Sequence, residues 1–478
     1  MTYRLGVALP GTRAAGAVLD SDGRVVAAVE SGCGSDVLGD VLDSVLAQAA
    51  TQGVTPDQID HVMFAVTDSG VLTELAAESG YWRAWPGRLA RVAAVRLGAA
   101  TTAVPPLALW PEELRERVAV AAGCLSGGAM LDGSDYEPLD IEGLLAFARR
   151  IAGRVGAVAI TGVFSSVTPR HELAAADVLR EELGSATAIL LSHEFGGLGL
   201  IERENATVLQ AALTAPAAEE ASKLLAAITQ RGMRCAEVFL ARGDGTIATL
   251  DHAVTHPLSL LCATDATAAI GVALLAGETD ALVGLTNVDG TVRAVCALNA
   301  GMPRMTVGHT KVAGVPTGLS VPALAPADGS IEDAVDRAKD APGDLPLLLA
   351  GPGAQAFAKS LSRRPTGTVG VGCPAGAEAA AAVGAAAAPV AGEARRIVPL
   401  SSPKLAEIRA GVRESARASA MRAGADPAKV VVVSAEEKPL AYLSEPTVVL
   451  QVRAAGPPRV GWMSGKSRVV ASAREERR

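Results

Sequence analysis

The chain has 478 residues and a formal charge of −8; 49% of its residues are hydrophobic, 20% are charged and only 3% are aromatic. This is enough for two to four domains of roughly 100–200 residues, each with its own core. No dense Lys/Arg stripe gives the electrostatic footprint of a nucleic-acid binder. The longest small-residue run, "AEAAAAVGAAAAPVAG", is too short and too broken by Gly and Pro to span a membrane. No leader precedes the first strand, and six cysteines at 33, 124, 235, 262, 296 and 373 show no CxxC spacing. The expectation is a cytoplasmic protein with buried free thiols and no metal site.

"YRLGVALPGTRAAGAVLDSDGRVVAAVES" predicts three short antiparallel strands, because Pro-Gly and Asp-Gly are strong turn formers. In the next segment Val37, Val41 and Val45 share an apolar stripe with Leu38, Leu42 and Leu46, which predicts a helix capped by Ser35 and ended by Gly53. "IDHVMFAVT" reads as a buried strand. Strand "VGAVAITGVFS", helix "HELAAADVLREELG" and strand "TAILLSHE" alternate as in a parallel sheet covered by helices. "LIERENATVLQAALTAPAAEEASKLLAAITQRG" supplies long helical material, and "AEVFLARGDGTIATL" reads as strand and turn.

A second hairpin, "DALVGLTNVDGTVRAVCALNAGMPRM", echoes the first, which suggests a duplicated domain. Pro-, Gly- and Asp-rich sequence then predicts loops around one short helix as far as 346. "LPLLLAGPGA" is a strand and turn, and "GCPAGAEAAAAVGAAAAPV" a tight helix. From about 402 a helix and two strands form a small α+β unit.

Three segments, "AITGVFSSVTPRHELAAADVLREELG", "LSHEFGGLGLIERENATVLQAAL" and "PPLALWPEEL", resemble the hydantoinase A/oxoprolinase family, and "AGADPAKVVVVSAEEKPLAYL" resembles the end of its shorter members. The resemblance implies an α/β protein of two duplicated actin-like (ribonuclease H-like) domains with a nucleotide cleft between them, plus the small C-terminal unit. The implied division is 1–185, 186–400 and 401–465, with a tail at 466–478. The ancestral chemistry it implies is ATP-dependent opening of a cyclic amide such as 5-oxoproline or a hydantoin. Family members commonly work with a second protein subunit, so a partner, an oligomer and a small cyclic amide ligand are expected.

Relatives carry Asp-x-Gly-Gly-Thr-x-Thr-Asp at each hairpin, where glycine N–H groups approach phosphate and the aspartate holds hydrated Mg²⁺. Here the first hairpin reads Ala8, Leu9, Pro10, Gly11, Thr12, Arg13, Ala14, Ala15, with alanine at both aspartate positions and a proline that lacks an N–H. Gly11 and Thr12 remain, and Arg13 reads as a solvated surface residue. The second hairpin reads Asn287, Val288, Asp289, Gly290, Thr291, Val292, Arg293, Ala294. Asn287 offers no anionic metal contact, and Asp289 puts a carboxylate where phosphate would sit, a repulsion of several kcal/mol at an effective dielectric of about 20. A plain Asp-Gly turn is the alternative reading. The Gly-Thr-Thr segment of relatives is Ala65, Val66, Thr67, Asp68, and the adenosine-side turn keeps Gly351 and Gly353. Gly11, Thr12, Gly290, Thr291, Gly351 and Gly353 are therefore vestigial nucleotide positions, and neither ATP nor Mg²⁺ is expected to bind unless these motifs still function.

Candidate acid–base residues are His171, Glu172, His193 and Glu194, which follow strand ends where α/β folds place active sites. The plainer reading makes His171 and Glu172 cap and dipole partners of a helix. Glu202 and Arg203 read as a helix-start ion pair, and His252 and His256 as loop residues. Two functions follow: a degenerate, non-hydrolysing partner or scaffold subunit, or an active cyclic amide hydrolase with a rebuilt, ATP-independent site.

Overall fold

Strands Tyr3–Leu9, Ala14–Leu19 and Val25–Ser31 pair antiparallel as the turn residues predict. The structure is a computed structural model that describes residues 2–9, 13–32, 36–66, 89–99, 104–195, 199–306, 310–440 and 446–459. Arg13, read as solvated, is half-buried and pairs with Glu30 across two strands at 3.2 Å. The helix Val37–Thr51 buries Val41, Leu42 and Val45 as its stripe requires. Its cap is Asp36, whose carboxylate accepts from Gly39 N at 2.9 Å; Ser35 lies outside the described residues. A carboxylate also complements the positive end of the helix dipole, which a hydroxyl does not.

Ile59–Val66 runs parallel to Tyr3–Leu9, and Glu237–Ala241 parallel to Ile59–Val66. The order is third, second, first, fourth, fifth. The second hairpin repeats it: Ala281–Thr286 carries Val292–Asn299 and then Met302–Pro303 on one side, Leu345–Ala350 and Thr368–Gly372 on the other. Two sheets with one order, each begun by a hairpin, are the duplicated ribonuclease H-like arrangement. The Pro/Gly-rich stretch holds the expected helix, Ile331–Ala338, and also a small strand pair, Thr310–Val312 with Val315–Thr317.

Between Val92 and Leu191 lies a third, all-parallel sheet in the order Ala119–Leu125, Val92–Leu97, Ala157–Gly162, Ala188–Leu191. A single helix, Leu200–Gln230, follows and passes through Pro216. Its opening is tied to the third sheet by Arg96, which is fully buried and donates to both Glu204 oxygens at 2.7 and 2.9 Å. Next to it Trp110 Nε1 donates to Asn205 Oδ1 at 2.7 Å, and Asn205 Nδ2 donates to Pro316 O at 2.8 Å.

Helices Ala263–Ala276 and Ala380–Ala387 pack on each other between the first two sheets. The C-terminal helix Leu405–Arg422 and strands Val431–Leu440 and Thr447–Gly456 are present as read. Thr447–Gly456 pairs with Val390–Pro399 over its whole length, so this unit is continuous with the first sheet and brings it to nine strands. No helix among the described residues is long and apolar enough to cross a membrane.

Candidate functional site

Parallel pairing sets Ile160 beside Leu191, so two residues on, Gly162 and His193 emerge side by side at the carboxyl end of the third sheet. Glu172, in the first turn of helix Arg170–Leu183, reaches back to both strand ends. Its Oε1 accepts from Gly162 N at 2.7 Å and Ser192 Oγ at 2.6 Å; its Oε2 accepts from His193 N at 3.0 Å and His193 Nδ1 at 2.7 Å. Arg203 comes in from the long helix and donates to Gly162 O at 2.6 Å and, more loosely, to Ser165 Oγ and Ser192 Oγ, both at 3.3 Å. Glu172, Ser165, Ser192 and Arg203 are all buried. Burial acts to raise the Glu172 pKa, but the hydrogen bonds from His193, Ser192 and Gly162 outweigh it and hold the carboxyl below its ordinary value. Burial in turn lowers the Arg203 pKa, against the nearby Glu172 and Glu202 charges.

The two His-Glu dipeptides are thus re-paired by the fold. Glu172 is more than a dipole partner of its own helix, because it bonds His193 across 21 positions. His171 Nε2 faces Asp135 at 3.1 Å, and its buried Nδ1 has no hydrogen-bond partner. Glu194 is exposed and stands 3.8 Å from His256 Nε2. Arg203, read as a helix-start ion-pair member, points inward instead. Its signal was available in principle: the helix that follows the strand end at Ser192 has to enter beside Gly162. Ser165 and Ser192 carried no signal in the sequence.

His252 lies on the short helix Leu250–Thr255 rather than in a loop, and its ring stacks on His256 at 4.4 Å. Burial, then the charges of His256, Arg242 and Arg422, lowers the His252 pKa to about 3. No group of three or more metal-ligating side chains occurs among the described residues. Burial first and Asp265 second push the Cys262 and Cys296 thiols up to about 12, which removes them as nucleophiles. Cys235 is exposed, so not every thiol is buried as expected.

At the second hairpin Asp289 Oδ1 accepts from Thr291 N at 2.9 Å and Thr291 Oγ1 at 2.6 Å, while Gly290 takes φ +81°. Asn287 N donates to Thr291 O at 2.8 Å and closes the turn. Gly351 has φ +113° and packs on the Thr286 carbonyl; a Cβ on Gly353 would overlap the Asn287 carbonyl. These glycines are needed for close packing of the turn on the hairpin. Arg293, on the same hairpin, pairs with Asp265 in the first turn of helix Ala263–Ala276. In the first hairpin, Ala8 pairs with Ala15 on one side and Ala65 on the other, and all three are buried. Pro10, Gly11, Thr12, Thr67 and Asp68 lie outside the described residues.

A cavity of about 590 Å³ opens at the carboxyl ends of the first sheet. Leu9, Val66, Leu213, Leu224 and Leu260 line it, with Lys223 and Arg231 at its walls. Both cations are engaged, Lys223 with Glu220 at 2.6 Å and Arg231 with Asp43 at 2.6 Å.

No family model matches the sequence, and no curated protein does. Among solved structures, the nucleotide-free acetone carboxylase of ATP-dependent acetone carboxylation matches with TM-score 0.64 and 13% identity, over 96% of this chain and 88% of that one. The ATP-dependent caprolactamase from Pseudomonas jessenii matches with TM-score 0.65 and 16% identity, over 95% and 88%. In fold, the chain is of the hydantoinase A/oxoprolinase type that its sequence resembles.

Proposed function

We propose that this chain keeps the scaffold of an ATP-dependent cyclic amide enzyme, has lost its hold on Mg·ATP, and acts as a partner or scaffold subunit that does not hydrolyse ATP. The observation that carries this reading is the buried trio Ala8, Ala15 and Ala65. Phosphoryl transfer needs a metal that both positions and neutralises the phosphate oxygens. Where relatives carry two aspartates, these strands carry methyl groups in contact with the core that includes Ala382 and Ala386. A carboxylate buried there would be strongly penalised. The second hairpin supports the same reading, since the N–H and hydroxyl of Thr291 are already donated to Asp289.

The solved neighbours are ATP-dependent by description. For this chain that activity would require a second subunit or a nucleotide site built from other residues. A ligand at 100 times its Kd stabilises a protein by about 2.7 kcal/mol. Millimolar Mg·ATP is therefore expected to leave the melting temperature unchanged. A rise of several degrees with Mg·ATP, absent with sulfate, overturns the reading. Co-purification from the native host tests the partner: a stoichiometric second chain is expected, and a chain recovered alone argues against a subunit role.

A further inference from the structure

We propose that His193 is a general base, oriented by Glu172, that activates water for attack on an ester carbonyl. The proposal does not rest on the loss of ATP, because the site lies at the end of the third sheet and uses neither hairpin.

The argument starts from the carboxylate. Both Glu172 oxygens are saturated by four donors, so the group cannot rotate away. Ser192 Oγ gives its proton to Glu172 and takes a hydrogen bond from Arg203, which keeps that hydroxyl in place. An ionised carboxylate can only accept, so the 2.7 Å contact to Nδ1 requires a proton on Nδ1. The basic nitrogen is then Nε2, and the carboxylate on the far side of the ring fixes the ring's tautomer and orientation. No described residue hydrogen-bonds His193 Nε2, and the side chain is 22% exposed, so solvent reaches it.

The other described histidines lack this combination. His61 Nε2 is bonded to Arg459 O at 2.7 Å. His171 turns Nε2 to Asp135. His256 Nδ1 lies near the His252 carbonyl and Thr255 Oγ1, and its Nε2 faces Glu194. The half-buried His252 ring stacks on it. His309 lies outside the described residues.

The surroundings limit the substrate. Beside Arg203 and Phe195 a cavity of about 20 Å³ has room for one water. A substrate must therefore approach from the open side of the ring. Arg203 is fully engaged by Gly162, Ser165 and Ser192, so the site offers no spare cation to polarise an unactivated amide. In the step, Nε2 takes a proton from water while the water oxygen bonds the carbonyl carbon. The C–O bond then breaks, and the proton passes from Nε2 to the leaving oxygen. The products are a carboxylic acid and an alcohol.

The test uses the purified full chain with p-nitrophenyl acetate and no nucleotide. General-base catalysis contributes about 10²–10⁴-fold, so the wild type is expected to exceed free imidazole at equal concentration by about 100-fold. His193→Ala should remove that excess. Glu172→Gln should lower the rate by about tenfold or more, because a carboxamide no longer obliges Nδ1 to carry the proton. If Glu172→Gln does not fold, ¹⁵N NMR of the wild-type imidazole decides: the Nδ1–H tautomer with Nε2 unprotonated is expected. An Nε2–H tautomer, a His193→Ala rate equal to wild type, or an unchanged rate in folded Glu172→Gln overturns the proposal.

Discussion

Asp244-Gly245-Thr246 and Asp289-Gly290-Thr291 are the same three residues in the same turn. Both glycines have φ +81°, and in each the aspartate Oδ1 accepts from the threonine N and Oγ1, at 3.1 and 2.6 Å in the first and 2.9 and 2.6 Å in the second. Their settings differ. Asp244 is partly buried, accepts from Arg453 at 2.8 Å and has Arg242 at 3.7 Å. Asp289 stands in solvent. Asp132-Gly133-Ser134 repeats the bonds again with serine. With threonine third, the tripeptide forms a self-satisfied turn at both places it occurs; Asp328-Gly329-Ser330 does not, because Ser330 caps helix Ile331–Ala338 and Asp328 faces Arg337. A hairpin tip that spells Asp-Gly-Thr has used its hydroxyl and one N–H internally, which is why its likeness to a phosphate loop does not translate into phosphate donors.

The comparison can be broken most directly at Asp244. Asp244→Asn, or Arg453→Ala, should cost about 2–4 kcal/mol, since either leaves a partly buried charge without its partner. Equilibrium urea unfolding measures it, and a loss below about 0.5 kcal/mol would make the two turns energetically alike.

The same site predicts a pH dependence. Burial acts to raise the Asp244 pKa, but Arg242, Arg453 and the Thr246 bonds hold it well below the ordinary carboxylate range. A depressed folded pKa gives stability that is present above the unfolded value of about 3.9 and is lost as pH falls through the folded value. The Asp244→Asn penalty should thus be full at pH 7 and shrink steadily below about pH 4. A penalty that stays constant down to pH 2 would mean that charge is not its origin.

At Asp289 smaller effects are expected. Pairing Asp289→Gly with Pro10→Gly removes a carboxylate and restores a backbone donor, so calorimetry should detect weak polyphosphate binding. Phosphate release from ATP should stay at background, because Ala8 and Asn287 still provide no metal anchor. Turnover in the double variant would show that the metal is held elsewhere. Asp289→Asn alone should leave the melting temperature unchanged, since the asparagine oxygen accepts the same two bonds in water.

Much of this architecture can be read from local sequence. Turn dipeptides and apolar runs identify both hairpins, and alternation at 157–191 identifies the parallel strands. Partnership between distant segments cannot be read so. Thr447–Gly456 looks like the edge of a small terminal unit until it is seen to pair with Val390–Pro399. Neighbouring letters suggested His171 with Glu172 and His193 with Glu194, whereas the crossing helix delivers Glu172 to His193. Arg203 and Glu204 sit at a helix start, where charged residues normally face solvent. Here both are buried, because that helix begins against the two central strands of the third sheet, where Glu204 meets Arg96 and Arg203 meets Gly162. Charge alone gives no hint of that.

The crossing of helices Ala263–Ala276 and Ala380–Ala387 has a mechanical meaning. A Cβ on Gly271 would overlap the Ala380 carbonyl, one on Gly384 the Thr267 carbonyl, and one on Gly6 the Ala382 carbonyl. Packed helices usually resist sliding because side-chain ridges of one engage grooves of the other. Here the ridges are methyl groups or hydrogens, and backbone rests on backbone. Sliding is resisted by the glycines themselves: each is a notch that admits a carbonyl of the other helix, and a shift along the axis would press an alanine Cβ onto that carbonyl, so the crossing holds the two duplicated halves in one register.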